Sequence, residues 1–176
     1  MSTGSNLHLI LGGARSGKSR YAEQQAAEMA DHLNQNVTYI ATAQAFDSEM
    51  RSRIEKHQSD RPQYWKTLEV PLELSTALED DSLKQSVVLV DCLTLWMMNL
   101  MEDADALPQR VDEFIDTLST LTMPVYIVSN EISMGVVPMG EMSRQYVDEL
   151  GRLHQKIASV ATSVTLMVAG IPLAIK

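Results

Sequence analysis

Short apolar runs recur along the chain and alternate with longer stretches in which apolar residues follow a helical spacing. The runs are rich in Val, Ile and Leu, and they lie at residues 7–11, 37–41, 87–90, 125–128 and 165–168. Runs of four or five such residues are typical of strands that are buried on both faces of a parallel sheet. The pattern therefore predicts a sheet whose central strands are these runs.

Two amphipathic helices are predicted between the strands, because apolar residues recur at helical spacing over residues 111–121 and 146–160. Alternating strands and helices favour a three-layer α/β fold with a mostly parallel sheet. Residues 173–175 follow Gly170 and Pro172 and predict an edge strand at the C-terminus. We expect a flexible tail at residues 1–6 and a single domain over residues 7–176.

Charge is distributed unevenly along the chain. The 14 Lys and Arg residues are outnumbered by 23 Asp and Glu residues, which gives a net charge of -9. A domain of this charge is not expected to bind nucleic acid. Up to Lys66, however, eight basic residues face seven acidic ones, whereas the remainder has six against sixteen. An anion site is therefore expected in the first third.

Cys92 is the only cysteine, so an intrachain disulfide is excluded and a reducing compartment is expected. The first residues carry no basic region, and the first apolar run is too short for a signal peptide or a membrane span. We expect a soluble cytoplasmic protein without stable membrane insertion.

A phosphate-binding motif follows the first predicted strand. The pattern G-x-x-x-x-G-K-[ST], known as the P-loop, is matched by Gly12, Gly13, Ala14, Arg15, Ser16, Gly17, Lys18 and Ser19. Its glycines let backbone N–H groups turn toward phosphates, and the following helix adds its positive end. We expect Lys18 to reach the β- and γ-phosphates and the Ser19 hydroxyl to bind Mg²⁺. The motif predicts a nucleotide site.

Asp91 ends the third apolar run and is the expected second part of this site. A buried strand beside a P-loop commonly delivers a carboxylate toward the magnesium ion. The alternative is a helix cap, which is a frequent role of Asp after a strand.

A basic segment follows the second predicted strand. Residues 51–62 include His57 and end in Pro62, and their basic side chains are Arg51, Arg53, Lys56 and Arg61. One interpretation is a solvated amphipathic helix. The other is a phosphate-facing His57 that acts as base or nucleophile, with the arginines stabilising the transferred phosphate.

The segment SNEISMGVVP at residues 129–138 follows the fourth apolar run. Asn130 and Glu131 could orient a substrate or a water molecule there, and a purely structural turn fits the composition equally well. Trp96 and the methionines of two Met-rich stretches are expected to fill the core. These methionines are Met97, Met98, Met101, Met134, Met139 and Met142.

Several segments together carry a resemblance to one family. In chain order they are GGARSGKSRYAE, YIATAQ, EMRSRIEKHQSDRPQYWKTLE, VLVDCLTLWMMN, VSNEISMGVVP, GRLHQKIA and AGIPLAIK. The set resembles the bifunctional adenosylcobinamide kinase / adenosylcobinamide-phosphate guanylyltransferase family of cobalamin biosynthesis, nearly from end to end. The resemblance implies a RecA-like P-loop fold and a homotrimer.

The resemblance also implies two reactions on one nucleotide platform. ATP or GTP phosphorylates the aminopropanol hydroxyl of adenosylcobinamide. GTP then gives its GMP to adenosylcobinamide-phosphate through a covalent histidine intermediate, which yields adenosylcobinamide-GDP and pyrophosphate. By position, His57 would be that histidine, Lys18 would act on the phosphates, and Gly12 to Ser19 would bind nucleotide. Further nucleotide contacts would come from Thr42, Ala43, Gln44, Gln58, Ser59, Asp60, Arg61, Glu69 and Asp91.

Three positions depart from the family's pattern. Some relatives have two adjacent histidines where this chain has Lys56 and His57, so only His57 is available as nucleophile. Ser133 stands where the family usually has glycine, and His154 stands where it usually has asparagine. None of these changes removes a group that the kinase reaction requires.

A P-loop presents the γ-phosphate, whereas transfer of GMP requires attack at the α-phosphorus. Either His57 lies near the α-phosphate from the start, or the nucleotide or residues 51–61 move between the two steps. We expect residues 51–61 to move.

Two other functions fit parts of the sequence. A P-loop kinase for another small molecule would form no covalent GMP. A regulatory GTPase would carry N-K-x-D after a later strand, where this chain has Ser129-Asn130-Glu131-Ile132.

Overall fold

The computed structural model describes residues 6–44 and 61–176. Within these residues, seven strands form one sheet in the order β3-β2-β4-β5-β1-β6-β7. All neighbouring strands are parallel except β6 and β7, which are antiparallel. The strands are β1 (Leu7–Gly12), β2 (Asn36–Ala41), β3 (Lys66–Glu69), β4 (Ser86–Asp91), β5 (Val125–Asn130), β6 (Ser163–Val168) and β7 (Ile171–Ala174). The predicted parallel sheet with a C-terminal edge strand is confirmed.

Helices cover both faces of the sheet and complete three layers. They are α1 (Lys18–Leu33), α2 (Leu74–Leu78), α3 (Leu93–Leu100), α4 (Leu107–Thr120) and α5 (Glu141–Val160). The cluster that contains Ala22 and Ala26 of α1 also contains Tyr39 and Leu89 of the sheet. A larger cluster joins buried residues of α2, α3, α4 and α5 to the opposite face. None of the helices in the described ranges could cross a membrane, because none is both long and apolar enough.

Helix α1 owes its place close to the sheet to small side chains. Its buried positions are Ala22, Ala26 and Ala30, which recur every four residues and therefore lie on one side of the helix. The helix begins after Gly17, whose φ of 92° lies in the left-handed region that glycine adopts readily. Both ends of the helix are thus set by local sequence, since Asn34 ends it in a left-handed conformation with φ 53°.

The edge strand β3 and the short helix α3 have no counterpart in the apolar pattern. Most of β3 is exposed, and its sequence, Lys66–Glu69, contains a single apolar residue, Leu68. An edge strand with little buried surface needs no apolar run. Helix α3 buries Leu93, Trp96, Met97 and Leu100 on several sides, so it lacks the one-sided spacing of a surface helix.

The expectation that the methionines fill the core is wrong for four of the six. Trp96 and Met97 are buried as expected, and Met101 is half-buried, but Met98 is 50% exposed. Three others are almost fully exposed: Met134, Met139 and Met142, at 74%, 98% and 77%. Met134 and Met139 lie on the irregular segment between β5 and α5. Met142 lies in the first turn of α5, before the residues of that helix that are buried in the core.

The strand order places the chemistry of the chain at one edge of the sheet. Strand β5 lies between β1 and β4, so its end lies between the P-loop and Asp91. Gly12 pairs with Asn130, and Ala41 pairs with Asp91, which puts the carboxyl ends of four strands at similar height. Ligands of open α/β sheets bind beyond this edge.

Candidate functional site

The P-loop connects β1 to α1, as the motif predicts. Gly12 is the last residue of the strand and Lys18 is the first of the helix. The Ser16 N–H donates to the Gly13 carbonyl at 3.2 Å, which closes a turn. The Lys18 ammonium donates to the same carbonyl at 3.0 Å and so lies folded across the loop. The exposed residues of the loop are Gly13, Ala14 and Arg15.

Gly12 sits in the tightest part of the loop. A Cβ atom there would lie 2.4 Å from Ser16 Oγ and 2.9 Å from the Met167 carbonyl oxygen. At Gly13 a Cβ atom would meet no heavy atom within 4 Å. Two adjacent glycines of the motif therefore have different structural requirements.

We expect Gly12→Ala to lower the free energy of unfolding by about 1–3 kcal/mol, because the added methyl group overpacks against backbone of β6. Gly13→Ala should change it by less than about 0.5 kcal/mol, as is usual at open surface positions. Chemical denaturation of both variants gives the comparison. Equal midpoints for the two variants would contradict the close approach seen at Gly12.

Lys18 lies within electrostatic range of Asp91. Burial lowers the pKa of Lys18, and the negative charge of Asp91 opposes this shift. The Cys92 thiol beside Asp91 is buried, which raises its pKa to about 11 and keeps it protonated at neutral pH. The charged pair of the site is thus Lys18 and Asp91.

Ser19 and Asp91 provide the oxygen atoms that a magnesium ion would take. In the described parts of the chain, no three His, Cys, Asp or Glu side chains are grouped to hold a metal ion by themselves. Mg²⁺ in nucleotide sites is usually held by one or two protein oxygens, with phosphates and water completing its shell. A hydroxyl and a carboxylate on either side of a P-loop fit that requirement.

Thr42 fixes the backbone that follows Asp91. Its side chain is fully buried, donates to the Cys92 carbonyl at 2.7 Å and accepts from the Cys92 N–H at 2.9 Å. The Thr42 carbonyl in turn accepts from the buried Asn99 amide at 3.0 Å. Ala43 and Gln44 follow directly and are half-buried at the same sheet edge.

Arg61 lies outside the strands and stacks on Tyr39 of β2, the strand next to that of Asp91. Its guanidinium carbon is 3.5 Å from the centroid of the Tyr39 ring, within the range of a cation–π interaction. The pKa of Tyr39 is raised, first by burial and then by the charge of Asp91 and a hydrogen bond to it, while Arg61 acts in the opposite direction. Tyr39 therefore links Arg61 to Asp91.

Among the remaining predicted site residues, Glu69 is described and lies away from the P-loop. It ends the edge strand β3 in register with Ala41, which pairs with Asp91. At about 4.8 Å per strand, it is about 10 Å from the Asp91 strand and about 19 Å from β1. Four other predicted site residues lie outside the described residues: His57, Gln58, Ser59 and Asp60. The movement expected for residues 51–61 concerns the same undescribed stretch, of which only Arg61 is described.

Glu131 adjoins the P-loop directly, because its N–H donates to the Gly12 carbonyl at 3.0 Å. One carboxylate oxygen, Oε1, accepts from the Ser133 N–H at 2.6 Å and from Ser133 Oγ at 2.5 Å. The other, Oε2, is 4.0 Å from Nδ1 of His154. Ser133 and His154 thus meet at the same carboxylate.

A buried polar chain continues behind Glu131. His154 Nε2 is 2.8 Å from Ser129 Oγ, which in turn lies 3.4 Å from Thr94 Oγ1. The Asn130 N–H donates to Thr94 Oγ1 at 2.8 Å. Burial lowers the pKa of His154, against the opposing charge of Glu131, so its ring is neutral at pH 7. With Nδ1 protonated, the ring faces Glu131 with its N–H and accepts from Ser129.

Little in the sequence indicates this set of buried hydrogen bonds. His154 shares the buried face of α5 with Leu150, Leu153 and Ile157. A histidine at such a position requires a buried polar partner, but helical spacing does not say that the partner is Ser129, which is 25 residues away.

A cavity of about 470 Å³ opens between the end of β5 and helix α5. Six of its eight lining residues have polar side chains, and the lining consists of Glu131, Ser133, Val147, Asp148, Gly151, Arg152, His154 and Gln155. Its volume lies in the range of small-molecule sites. The cavity therefore adjoins the P-loop through Glu131.

Comparison with known proteins identifies relatives over almost the whole chain. It is 51% identical over 172 residues to the bifunctional adenosylcobalamin biosynthesis protein CobP of Pseudomonas aeruginosa, and 96% of each chain is covered. It is 35% identical over 183 residues to the bifunctional adenosylcobalamin biosynthesis protein CobU of Escherichia coli, with 96% of this chain and 98% of the other covered.

A solved structure confirms the P-loop NTPase fold. The flagellar accessory protein FlaH from Methanocaldococcus jannaschii superposes with a TM-score of 0.57 at 14% identity, covering 98% of this chain and 79% of the other. Residues 8–175 match the family described as cobinamide kinase / cobinamide phosphate guanyltransferase. The match runs from β1 to β7, and this chain therefore belongs to that family.

Proposed function

We propose that the protein phosphorylates adenosylcobinamide with ATP or GTP and then transfers GMP from GTP to the adenosylcobinamide-phosphate formed. The observation that carries this proposal is the family match over residues 8–175, which includes every element of the site. The names of the relatives, bifunctional adenosylcobalamin biosynthesis proteins, support it.

In the kinase step, the acceptor hydroxyl oxygen attacks the γ-phosphorus. The bond between that phosphorus and the oxygen that bridges the β- and γ-phosphates breaks. The exposed P-loop backbone binds the phosphates, and Lys18 exchanges its contact with the Gly13 carbonyl for phosphate oxygens. Ser19 and Asp91 would hold Mg²⁺, which neutralises phosphate charge when bound.

In the second step, we propose His57 as the group that carries GMP. A neutral imidazole nitrogen attacks the α-phosphorus, pyrophosphate leaves, and a phosphate oxygen of the acceptor then displaces the imidazole. An imidazole with the ordinary pKa of about 6.5 is mostly neutral at pH 7 and needs no strong base. Four peptide units link His57 to Arg61, which limits the distance between their Cα atoms to about 15 Å.

The finer nucleotide contacts are proposed on the same basis. Beside the P-loop they comprise Thr42, Ala43, Gln44, Gln58, Ser59, Asp60, Arg61, Glu69 and Asp91. The stacking of Arg61 on Tyr39 beside Asp91 supports a position at the phosphate end.

A homotrimer in the cytoplasm is proposed from the family resemblance and from the single cysteine. Association of subunits would bury apolar side chains that are exposed in the single chain, such as those of Met134, Val136, Val137 and Met139. Sedimentation at several protein concentrations measures the assembly, and a monomer at all concentrations contradicts the proposed homotrimer.

The net charge of -9 supports the absence of nucleic acid among the partners.

The function is tested by supplying adenosylcobinamide with γ-labelled ATP or GTP in one reaction and α-labelled GTP in another. We expect γ-label in adenosylcobinamide-phosphate and α-label in adenosylcobinamide-GDP. Incorporation of γ-label alone would instead indicate a kinase without guanylyl transfer. Slow release of phosphate with no acceptor labelled would indicate a GTPase.

A further inference from the structure

The end of β5 occupies the position between the two charged parts of the nucleotide site. Strand order places it next to the P-loop strand on one side and next to the Asp91 strand on the other. Glu131 follows this strand and is hydrogen-bonded to Gly12, the first residue of the P-loop. A group at this position lies where an acceptor can approach the phosphate end of the nucleotide.

Carboxylates at this edge have different surroundings. Asp91 is engaged with Tyr39 and acts on the charge of Lys18. Glu69 lies at the far edge of the sheet. Glu131, in contrast, lines a cavity with room for a small ligand, and within the described residues Ser133 holds its Oε1.

We propose that this cavity binds the aminopropanol arm of the acceptor and that Glu131 accepts the proton of its hydroxyl. The inference rests on the proposed function and names the acceptor side of the same site. As the hydroxyl oxygen forms its bond to the γ-phosphorus, its proton passes to the Glu131 carboxylate, and the nucleoside diphosphate leaves with the electrons of the broken P–O bond.

Ser133 and His154 are positioning residues for this base. Ser133 fixes Oε1 through two hydrogen bonds, and the neutral His154 ring lies 4.0 Å from Oε2, held in place by Ser129. Because one oxygen is fixed by donors, the other is the oxygen available to the acceptor.

The two reactions differ in their need for a base, so the role of Glu131 in the kinase step can be tested separately from guanylyl transfer. A hydroxyl must lose its proton in the kinase step. The acceptor of the second step is a phosphate monoester, whose second pKa of about 6 leaves it anionic at neutral pH. Glu131 should therefore serve only the first reaction.

The decisive variant is Glu131→Gln, which keeps the size and the acceptor atom that Ser133 uses. We expect kcat for phosphorylation of adenosylcobinamide to fall about 10²–10⁴-fold, the usual contribution of a general base. Guanylyl transfer to preformed adenosylcobinamide-phosphate should stay within about twofold, and it reports that the variant is folded.

The matched control is Asp112→Asn, which removes an exposed carboxylate of α4 that is paired with Lys156 of α5 and does not line the cavity. It should leave both reactions unchanged. Kinase activity of Glu131→Gln within threefold of wild type overturns the proposal, as does an equal loss of both reactions. If the wild-type protein fails to phosphorylate adenosylcobinamide, the proposed function itself falls and this inference with it.

A second variant tests the cavity independently of the base. A Cβ atom at Gly151 would meet no heavy atom within 4 Å, so Gly151→Met places a long side chain in open space at the cavity. We expect KM for adenosylcobinamide to rise at least tenfold while the Kd for GTP is unchanged. Ser159→Met, on the exposed side of the same helix, is the control. An unchanged KM in Gly151→Met excludes the cavity as the acceptor site.

Discussion

Replacing His57 with alanine should abolish covalent attachment of GMP and leave phosphorylation of adenosylcobinamide close to the wild-type rate. The imidazole is the only group that the proposed transfer modifies, and alanine provides no nucleophile. The kinase step passes a γ-phosphoryl group directly to a hydroxyl and needs no such group. Formation of adenosylcobinamide-GDP should therefore be lost selectively.

The measurement uses α-labelled GTP and Mg²⁺, followed by denaturation of the protein and detection of retained label. His32→Ala is the matched control, because His32 is exposed at the end of α1. We expect label in wild type and in His32→Ala and none in His57→Ala. Equal retained label in His57→Ala and in wild type would contradict the assignment of His57 as the residue that carries GMP.

Replacing Lys18 with alanine should reduce both reactions by at least about 10²-fold, the usual effect of removing one group that stabilises developing phosphate charge. The ammonium lies across the P-loop opposite Asp91, where both reactions must place the phosphates of their nucleotide. One site that serves two reactions must lose both together.

Lys84→Ala provides the control, since Lys84 is an exposed partner of Asp81 outside the site. Initial rates of both reactions and the thermal midpoint should be measured for each variant. Guanylyl transfer that persists in Lys18→Ala, with the kinase lost, would mean that the two reactions use separate nucleotide sites.

The sequence predicted the parts of the fold whose signals are local. The apolar run before Gly12 and the glycines after it specify a strand, a phosphate loop and a helix within about 30 residues, and the structure has all three. The run that ends in Asp91 specifies a second buried strand in the same way. Both signals depend on neighbours in the chain.

The parts that could not be predicted depend on contacts between distant segments. The exposed edge strand β3 has almost no apolar residues to mark it. The contacts of His154 with Ser129 and Glu131 join a helix to a strand end, and the helical pattern alone gave His154 no partner. The apolar composition of residues 134–142 also misled, because exposure there is decided by an irregular segment rather than by residue type.

The two hydrogen bonds between Thr42 and Cys92 and the stacking of Arg61 on Tyr39 tie both borders of the His57-bearing stretch to neighbouring positions of the sheet. The polypeptide therefore leaves the sheet and returns to it beside the strand that ends in Asp91. The residue proposed to carry GMP is tethered at both ends next to the nucleotide site, whatever path the residues between the borders take.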